Sequence, residues 1–326
     1  MNRSQRPTSF RQTLQTLRIA YQHGDAGDLH DAYVRVMETS RALRALLSML
    51  EHAYPVRRML SMAARLESRL ADGGLNEGCR RFFRELSIPW VCQISPEARA
   101  IAETQSVLFF GNHPSLFTPF LAAASIDRED FRVFSSKYVC HLLPSVARAA
   151  FPIEVPMTRS WTEWKRGGWQ RVLIYRLIAL LHSSPPAEVV REANQRSLEQ
   201  GAAYIRSGGS AILCPGGGGK TRDRKWYSGI GSLVKQLQDQ PCERTIYLLP
   251  FREENCSNKR IYTEIQRGPV SRLKRALVYR RPICIRFGNP IPVAQIGDPE
   301  SSVQQIVDLL KAMYESLFPT PPLERA

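Results

Sequence analysis

The residue best suited to chemistry in this chain is His113, which follows an apolar run at 107–110 and precedes Pro114. An imidazole changes its charge near neutral pH, so a small change of environment lets it accept or release a proton under physiological conditions. The apolar run predicts a buried strand, and the Gly-Asn-His-Pro sequence at its end predicts a turn. The pattern therefore predicts a histidine that a strand delivers to the mouth of a loop, where it meets solvent and substrate.

A run of four glycines at 216–219 is the second candidate for chemistry, because it follows an apolar run at 211–213 and precedes Lys220. Such a loop exposes backbone N–H groups that suit an anion or a close-lying substrate; an ordinary mobile loop is the alternative. The spacing nearly fits the nucleotide-binding loop G-x-x-x-x-G-K-[ST], but Cys214 stands at its first glycine and no convincing amphipathic helix follows. The sequence therefore argues against an NTPase.

Short apolar segments alternate with helical segments from residue 90 onward, and this alternation predicts how the histidine and the glycines are positioned. Strands separated by helices favour a largely parallel sheet that helices cover on both faces. We therefore predict an α/β fold with a mostly parallel central sheet flanked by helices over 90–326, preceded by an N-terminal helical layer over 1–89. The predicted strands are 107–110, 131–134, 153–155, 211–214, 247–251 and 283–287, and two of the intervening helices are 141–150 and 188–206.

The N-terminal region carries apolar residues at helical spacing, which predicts three helices. The first contains Phe10, the second begins near Asp28, and the third runs over 56–70 and ends at the Asp-Gly-Gly sequence of 72–74. We expect these helices to pack on the main domain. A membrane-surface or dimerisation role is the alternative, because such helices can also present an apolar face outward.

The composition restricts the class of protein. The chain has 326 residues, with 45 Lys and Arg against 30 Asp and Glu, and its net charge of +15 suggests an anionic partner such as nucleic acid, a membrane surface or a phosphorylated substrate. No apolar run approaches the roughly 18 to 20 residues that span a bilayer, and the N-terminal residues lack the apolar core of a secretory signal. The seven cysteines are widely spaced without a C-x-x-C pair, which fits neither a zinc site nor a disulfide framework. We therefore expect a reduced, cytosolic environment.

Several short segments follow one another in a fixed order after residue 105. Thr118 stands five residues after His113, Lys137 precedes a segment that contains a proline, and a predicted strand ends at Arg159. The later segments are Ala-Ile-Leu-Cys-Pro-Gly-Gly at 211–217, Trp-Tyr-Ser-Gly at 226–229, Leu-Leu-Pro-Phe at 248–251 and Phe-Gly-Asn-Pro-Ile at 287–291. In this order and spacing, the segments resemble the signature blocks of the glycerolipid (lysophospholipid) acyltransferase superfamily.

The resemblance implies transfer of a fatty acyl group from an acyl thioester to a hydroxyl of a lysophospholipid or glycerol phosphate. Such a reaction needs a base for the hydroxyl proton, donors for the oxyanion and positive charge for an acidic head group. By resemblance His113 is the base, Thr118 orients it and Arg159 binds the acidic acceptor. The further substrate-binding residues that it implies are Lys137, Gly216, Gly217, Lys220 and Arg222. The resemblance implies no metal and no bound cofactor, and the acyl donor is acyl-CoA or acyl carrier protein.

Two residues depart from the family's pattern, and each replaces a carboxylate. Thr118 stands where the family has the aspartate of its His-x4-Asp motif, and Gly216 stands where it has a glutamate. Neutralising the analogous carboxylate of a serine protease costs about 10⁴ in turnover. Two alternatives therefore stay open: a catalytically weak or inactive member that binds lipid or acyl chains, and an acyltransferase with a non-glycerolipid acceptor.

A segment at 159–182 combines tryptophans with basic residues and continues into a Leu- and Ile-rich run. Trp favours the bilayer interface and basic residues favour anionic head groups, so the segment predicts peripheral association with the inner face of the membrane; a surface loop before a buried helix is the alternative. No nucleic-acid-binding motif accompanies the segment, and we expect no nucleic acid as partner. The residues concerned are Trp161, Trp164, Lys165, Arg166, Trp169 and Arg171.

Overall fold

The computed structural model describes residues 10–39, 44, 47–48, 51, 55–154, 185–216, 226–240, 242–265, 268–298 and 300–318. The chain divides into two compact units, the first comprising residues 1–72 and 135–194 and the second comprising residues 73–134 and 195–326. Both units are therefore discontinuous in sequence. The predicted boundary between residues 89 and 90 stays a prediction.

The secondary structure alternates between helices and strands after an N-terminal series of helices. The helices are α1 (Phe10–Gln22), α2 (Ala26–Thr39), α3 (Val56–Glu85), α4 (Pro96–Thr104), α5 (Thr118–Ser125), α6 (Lys137–Leu142), α7 (Pro144–Arg148), α8 (Ala187–Arg206), α9 (Gly229–Asp239), α10 (Asn258–Ile265), α11 (Pro269–Leu277) and α12 (Val303–Leu317), with a short 3-10 helix at Val293–Gln295. The strands are β1 (Trp90–Gln93), β2 (Ser106–Gly111), β3 (Phe131–Ser136), β4 (Ala150–Ile153), β5 (Ser210–Leu213), β6 (Ile246–Glu254), β7 (Ile283–Phe287) and β8 (Ile291–Pro292).

The architecture is a mostly parallel eight-stranded sheet flanked by helices, with an N-terminal helical region, which confirms the predicted fold class. In the second unit the sheet order is β1-β7-β6-β2-β5-β3, and β8 pairs with β6. β2 is parallel to both of its neighbours, β5 and β6, whereas β6 is antiparallel to β7 and β8. Three strands therefore end at the same edge of the sheet, which is the edge where α/β proteins commonly bind ligands.

β2 lies inside the sheet, and all six of its residues are buried. A strand covered on both faces needs apolar side chains at successive positions, so an uninterrupted apolar run forms it rather than an alternating one. The helix that follows, α5, is also almost wholly buried. At its end, the carbonyl of Ala123 accepts from Asn76 Nδ2 at 2.8 Å and that of Ala124 accepts from Arg80 Nε at 2.9 Å. These bonds satisfy carbonyls that a helix end leaves open, and they fix α5 where the turn after β2 needs it.

α3 consists of two helical segments that meet at a kink, because Gly74 has φ 66° and ψ −171°, values outside the helical region. Side chains disfavour this backbone conformation, and glycine allows it. The segment that begins at Val56 therefore ends at residues 72–74, which confirms the predicted end. The second segment continues to Glu85, and its buried apolar stripe at helical spacing stabilises it, formed by Leu75, Cys79, Phe82 and Phe83.

In the first unit, aromatic and polar contacts join α1 and α3 to the segment of α6 and α7. The rings of Tyr21 and His141 lie 4.6 Å apart, and His141 Nε2 lies 2.5 Å from Tyr21 O. Glu67 accepts hydrogen bonds from Ser145 N at 2.9 Å and from Ser145 Oγ at 2.7 Å, which satisfies a donor at the start of α7. This unit is thus assembled from two stretches of chain that are distant in sequence.

The helices of the described residues include none that is both long enough and apolar enough to cross a bilayer. The segment 159–182, for which membrane association is predicted, lies outside the described residues. Its association with a membrane stays a prediction.

Gly111 ends β2 at a point where the sheet leaves no room for a side chain. A Cβ atom at this position would lie 2.1 Å from Phe251 O on β6. We expect Gly111→Ala to lower the free energy of unfolding by about 2 kcal/mol, because β2 and β6 would have to separate. Urea unfolding measures this loss against a control, Gly229→Ala, whose new Cβ would meet only Leu198 at 3.9 Å. Equal stability of the two variants would contradict the close approach of β2 to β6.

Candidate functional site

The turn that carries His113 is fixed to β6 at its first residue. β2 and β6 stay in register through Gly111 and Phe251, where β2 ends. The side chain of Asn112 then takes the place of the backbone: its Nδ2 donates to Glu253 O at 2.9 Å, and Glu253 N donates to its Oδ1 at 2.7 Å. Asn112 thereby extends the hydrogen-bond ladder by one step while its own backbone enters the turn.

The same turn is fixed to Glu253 at its other end. Thr118, the first residue of α5, is fully buried, and its hydroxyl contacts Glu253 Oε2. This hydroxyl also lies 2.9 Å from Ser115 O and accepts from Ser115 N at 3.2 Å, which closes the turn. Asn112 and Thr118 therefore both bind Glu253, the former at its backbone and the latter at its carboxyl group.

His113 follows Asn112 directly, inside the turn that Glu253 holds at both ends. Its side chain is half-buried, and its Nδ1 atom is buried. The structure thus places His113, Thr118 and Glu253 on or against one turn at the carboxyl end of β2. The roles of His113 as a base and of Thr118 in orienting it stay predictions.

Glu253 is almost fully buried, with 3% of its surface exposed. Burial raises the pKa of its carboxyl group to about 7, although hydrogen bonds with Thr118 and Cys256 partly oppose the shift. Its Oε1 atom is buried and has no hydrogen-bond partner among the described residues. An ionised carboxylate here would have no donor to its Oε1 atom in place of water, so the neutral acid is favoured up to near-neutral pH.

The hydroxyl of Thr118 explains how a proton on Glu253 is accommodated. The hydroxyl has one proton and two acceptor neighbours, Ser115 O and Glu253 Oε2. When Glu253 is ionised, the hydroxyl can donate to only one of them. When Glu253 is protonated, Glu253 donates to Thr118 and Thr118 donates to Ser115 O, so each acceptor is satisfied. The geometry therefore suits a carboxyl group that gains and loses a proton beside the histidine turn.

The glycine segment begins next to this turn, because β5 lies beside β2 in the sheet. Cys214, the residue after β5, places its Sγ atom 3.9 Å from Asn112 O. Gly216 follows two residues later, at the same edge of the sheet as His113. Of the predicted substrate-binding residues in this segment Gly216 is described, whereas Gly217, Lys220 and Arg222 lie outside the described residues.

Two cysteine thiols lie near Glu253, and neither is suited to act as a nucleophile. Burial raises the pKa of the Cys214 thiol and that of the Cys256 thiol above the ordinary range, and the negative charge of Glu253 raises both further. The thiolate is the nucleophilic form, and these environments disfavour it. In the part of the chain that the structure describes, His, Cys, Asp and Glu side chains form no group of three or more that could hold a metal ion.

Aromatic side chains form a cluster between β2 and α12, beside the glycine segment. The ring of Trp226 lies 6.0 Å from that of Phe110 and 5.5 Å from that of Tyr314, which in turn lies 5.1 Å from Phe318. A Cβ atom on Gly216 would lie 3.8 Å from Trp226 Cδ1, so the cluster reaches the glycine segment. Phe110 and Phe318 are buried, so the half-buried rings of Trp226 and Tyr314 are the members of this cluster that a ligand can contact.

Lys137 belongs to the first unit, where its charge is paired. Its Nζ atom forms an ion pair with Glu154, whose side chain is 6% exposed against 54% for Lys137. Asn194 holds the backbone of Glu154 on both sides, with Glu154 N to Asn194 Oδ1 at 2.7 Å and Asn194 Nδ2 to Glu154 O at 3.0 Å. Arg159 lies outside the described residues. The substrate-binding roles of Lys137 and Arg159 stay predictions.

Glu253 is the candidate site residue that the sequence analysis missed. The predicted strand ended at Phe251, whereas β6 continues to Glu254. Along β6, side chains alternate between faces, so buried Glu253 shares the face of buried Phe251 while half-buried Arg252 and Glu254 lie on the other. An acidic residue in phase with a buried apolar face was the signal that could have identified it.

No family model and no curated protein matches this chain. Among solved structures, the chain is similar to the 1-acyl-sn-glycerophosphate (LPA) acyltransferase from Thermotoga maritima. The similarity covers 94% of this chain and 98% of that chain, at a TM-score of 0.38 and 11% sequence identity. A similarity this low carries no weight for the activity, so the functional assignment rests on the residues around His113.

Proposed function

We propose that the protein is an acyltransferase that moves a fatty acyl group from an acyl thioester to a hydroxyl of a lysophospholipid or glycerol phosphate. One observation carries the proposal: His113 lies in a turn whose two ends both bind Glu253, a buried acidic residue. The ordered resemblance to the acyltransferase blocks supports the same reaction. Acyl-CoA or acyl carrier protein is the proposed donor.

In the proposed reaction, His113 takes the proton of the acceptor hydroxyl as its oxygen attacks the thioester carbonyl. The new C–O bond forms, the C–S bond breaks, and the proton passes from the imidazolium to the departing sulfur, so that the products are an ester and a free thiol. Glu253 supplies the negative charge that stabilises the imidazolium, the part that the family's aspartate would take at position 118. Thr118 holds the carboxyl group of Glu253 rather than replacing it.

We propose direct transfer between the two substrates, without an acyl-enzyme. A covalent intermediate needs an activated nucleophile on the protein. The thiols nearest to Glu253, those of Cys214 and Cys256, have raised pKa values that favour the protonated form. The donor and the acceptor would therefore have to be bound at the same time.

The remaining roles are proposed from residue chemistry. An acidic acceptor would be held by basic side chains, and an acyl chain would lie against the half-buried rings of Trp226 and Tyr314. Action at the cytosolic face of a membrane is part of the proposal. The acceptor-binding residues that we propose are Arg159, Lys137, Lys220 and Arg222, with the backbone of Gly216 and Gly217.

Binding of acyl chains or lipid without catalysis is the second candidate function. Gly216 stands where the family has a glutamate, which favours this alternative. The pKa of Glu253, raised by burial to about 7, favours it as well, because a neutral carboxyl group does not stabilise an imidazolium.

A turnover screen separates the two functions. Purified protein is incubated with acyl-CoA or acyl carrier protein and, in turn, lysophosphatidic acid, glycerol 3-phosphate and a glycolipid alcohol, while thiol release and ester formation are both measured. We expect thiol release that depends on an acceptor and equals the ester formed, with His113→Ala at background. Acyl binding without ester formation would favour the non-catalytic alternative, and thiol release that is independent of every acceptor would contradict acyl transfer.

A further inference from the structure

α11 presents an apolar stripe to solvent, the reverse of the usual arrangement in a globular protein. Val270, Leu273 and Leu277 lie on one face at helical spacing and are 65%, 59% and 57% exposed, and Val278, directly after the helix, is 67% exposed. These four residues are among the ten large apolar residues that the described chain exposes, and they lie close together in sequence, within 270–278. Together they form one apolar patch, which marks an interaction surface.

The opposite face of α11 is the one that packs on the protein. Ser271 is buried, and Arg275 NH1 donates to Glu264 O at the end of α10 at 3.0 Å. The apolar stripe is therefore not part of the packed face of α11. It lies on the side of the helix that faces away from the residues that α11 contacts.

The apolar patch is surrounded by positive charge. The segment 269–282 contains five basic residues and no acidic one. Arg272, Lys274 and Arg281 are exposed, and none of them forms a salt bridge with an acidic side chain of the described residues. The charge of this segment is thus not neutralised locally, and it complements an anionic partner.

We propose that α11 and the residues up to Pro282 dock on an anionic lipid surface. Val270, Leu273, Leu277 and Val278 would enter the boundary between head groups and acyl chains, and the flanking cations would bind lipid phosphates. The proposal rests on the exposure and charge of this segment alone and does not depend on the acyl-transfer reaction. The contact is also distinct from the segment 159–182.

Two other partners fit these residues less well. Single-stranded nucleic acid is held by aromatic rings that stack on bases, but the exposed residues here are aliphatic, and Tyr279 is half-buried with the guanidinium of Arg260 5.5 Å from its ring. A second copy of the chain would bring an identical set of cations against the first, which opposes a symmetric dimer through this patch.

Vesicle sedimentation tests the proposal. The full chain is mixed with phosphatidylcholine vesicles with and without phosphatidylglycerol, and the bound fraction is measured at low and high salt. Leu273→Gln/Leu277→Gln removes two apolar side chains from the stripe while keeping its charge and a good helix former. The matched control is Leu309→Gln/Leu317→Gln on α12, since Leu309 and Leu317 are 38% and 37% exposed outside the patch.

We expect the unchanged protein and the Leu309/Leu317 control variant to bind anionic vesicles equally well. The Leu273/Leu277 variant should bind them at least about tenfold more weakly. Binding should also fall as salt rises, because ions screen surface charge over about 10 Å at 0.1 M. Unaltered vesicle binding by a folded Leu273/Leu277 variant would overturn the proposal. Oligonucleotide binding or self-association that this pair abolishes, without any effect on vesicles, would overturn it as well.

Discussion

Glu253→Gln is expected to slow acyl transfer about 10³- to 10⁴-fold, to a rate near that of His113→Ala, because it removes the carboxylate that the turn binds while keeping the size of the side chain. The amide can still hydrogen-bond to Thr118, so the position of the turn is preserved. What is lost is the negative charge beside an imidazolium that forms during the reaction. Single-turnover rates with a saturating acyl thioester measure the loss.

Two further variants show whether the charge of Glu253 is the cause. Thr118→Val removes the hydroxyl but keeps the carboxylate, so its loss should be smaller than that of Glu253→Gln. Glu254→Gln removes the neighbouring carboxylate, which faces Arg252 at 3.6 Å and Arg286 at 3.7 Å, and the rate should stay unchanged. A Glu253→Gln protein that transfers acyl groups at the full rate would remove Glu253 from the mechanism.

Glu253→Gln is also expected to stabilise the protein above neutral pH. The pKa of Glu253 is about 7 in the folded protein, against 4.5 for the ordinary group. Between these pH values Glu253 is therefore protonated in the folded protein and ionised in the unfolded chain. The protein's free energy of unfolding therefore falls as pH rises through this window and stays lower above it. The full loss is on the order of 3 kcal/mol, and the glutamine variant does not suffer it because glutamine carries no charge.

Urea unfolding at pH 5 and pH 8 measures this difference. We expect Glu253→Gln to have nearly the stability of the unchanged protein at pH 5 and to exceed it at pH 8. Glu254→Gln, whose side chain is half-buried and paired with arginine, should show no such gain. A constant difference between Glu253→Gln and the unchanged protein across this range would contradict the raised pKa of Glu253.

Much of the fold could be predicted because its strongest elements are local patterns. β2 was predicted within one residue at each end, since a short uninterrupted apolar run in an α/β fold is typical of a strand buried inside the sheet. β7 was predicted without error at Ile283–Phe287. The kink of α3 was also predicted, because the Gly-Gly pair at 73–74 favours a helix end and Gly74 has a non-helical backbone conformation.

The candidate site was only partly predictable, because half of it depends on which strands become neighbours. His113 and Thr118 lie on one short stretch whose spacing is visible in the sequence. Glu253 joins them only because β6 pairs with β2, and no local pattern states that pairing. The sequence therefore indicated a missing carboxylate at position 118, and the sheet order revealed a carboxyl group supplied from elsewhere.

β2 pairs with β5 and β6, two strands that are synthesised long after it, and this order has a consequence for folding during synthesis. Asn112 meets Cys214, which is 102 residues further along, and Glu253, which is 141 residues further along. As the ribosome elongates the chain, β2, with its apolar run at 107–110, emerges long before either neighbouring strand exists to cover its edges. Unpaired apolar strands of this kind associate with other chains. We therefore expect residues 106–111 to need protection by a chaperone during synthesis until β6 has emerged.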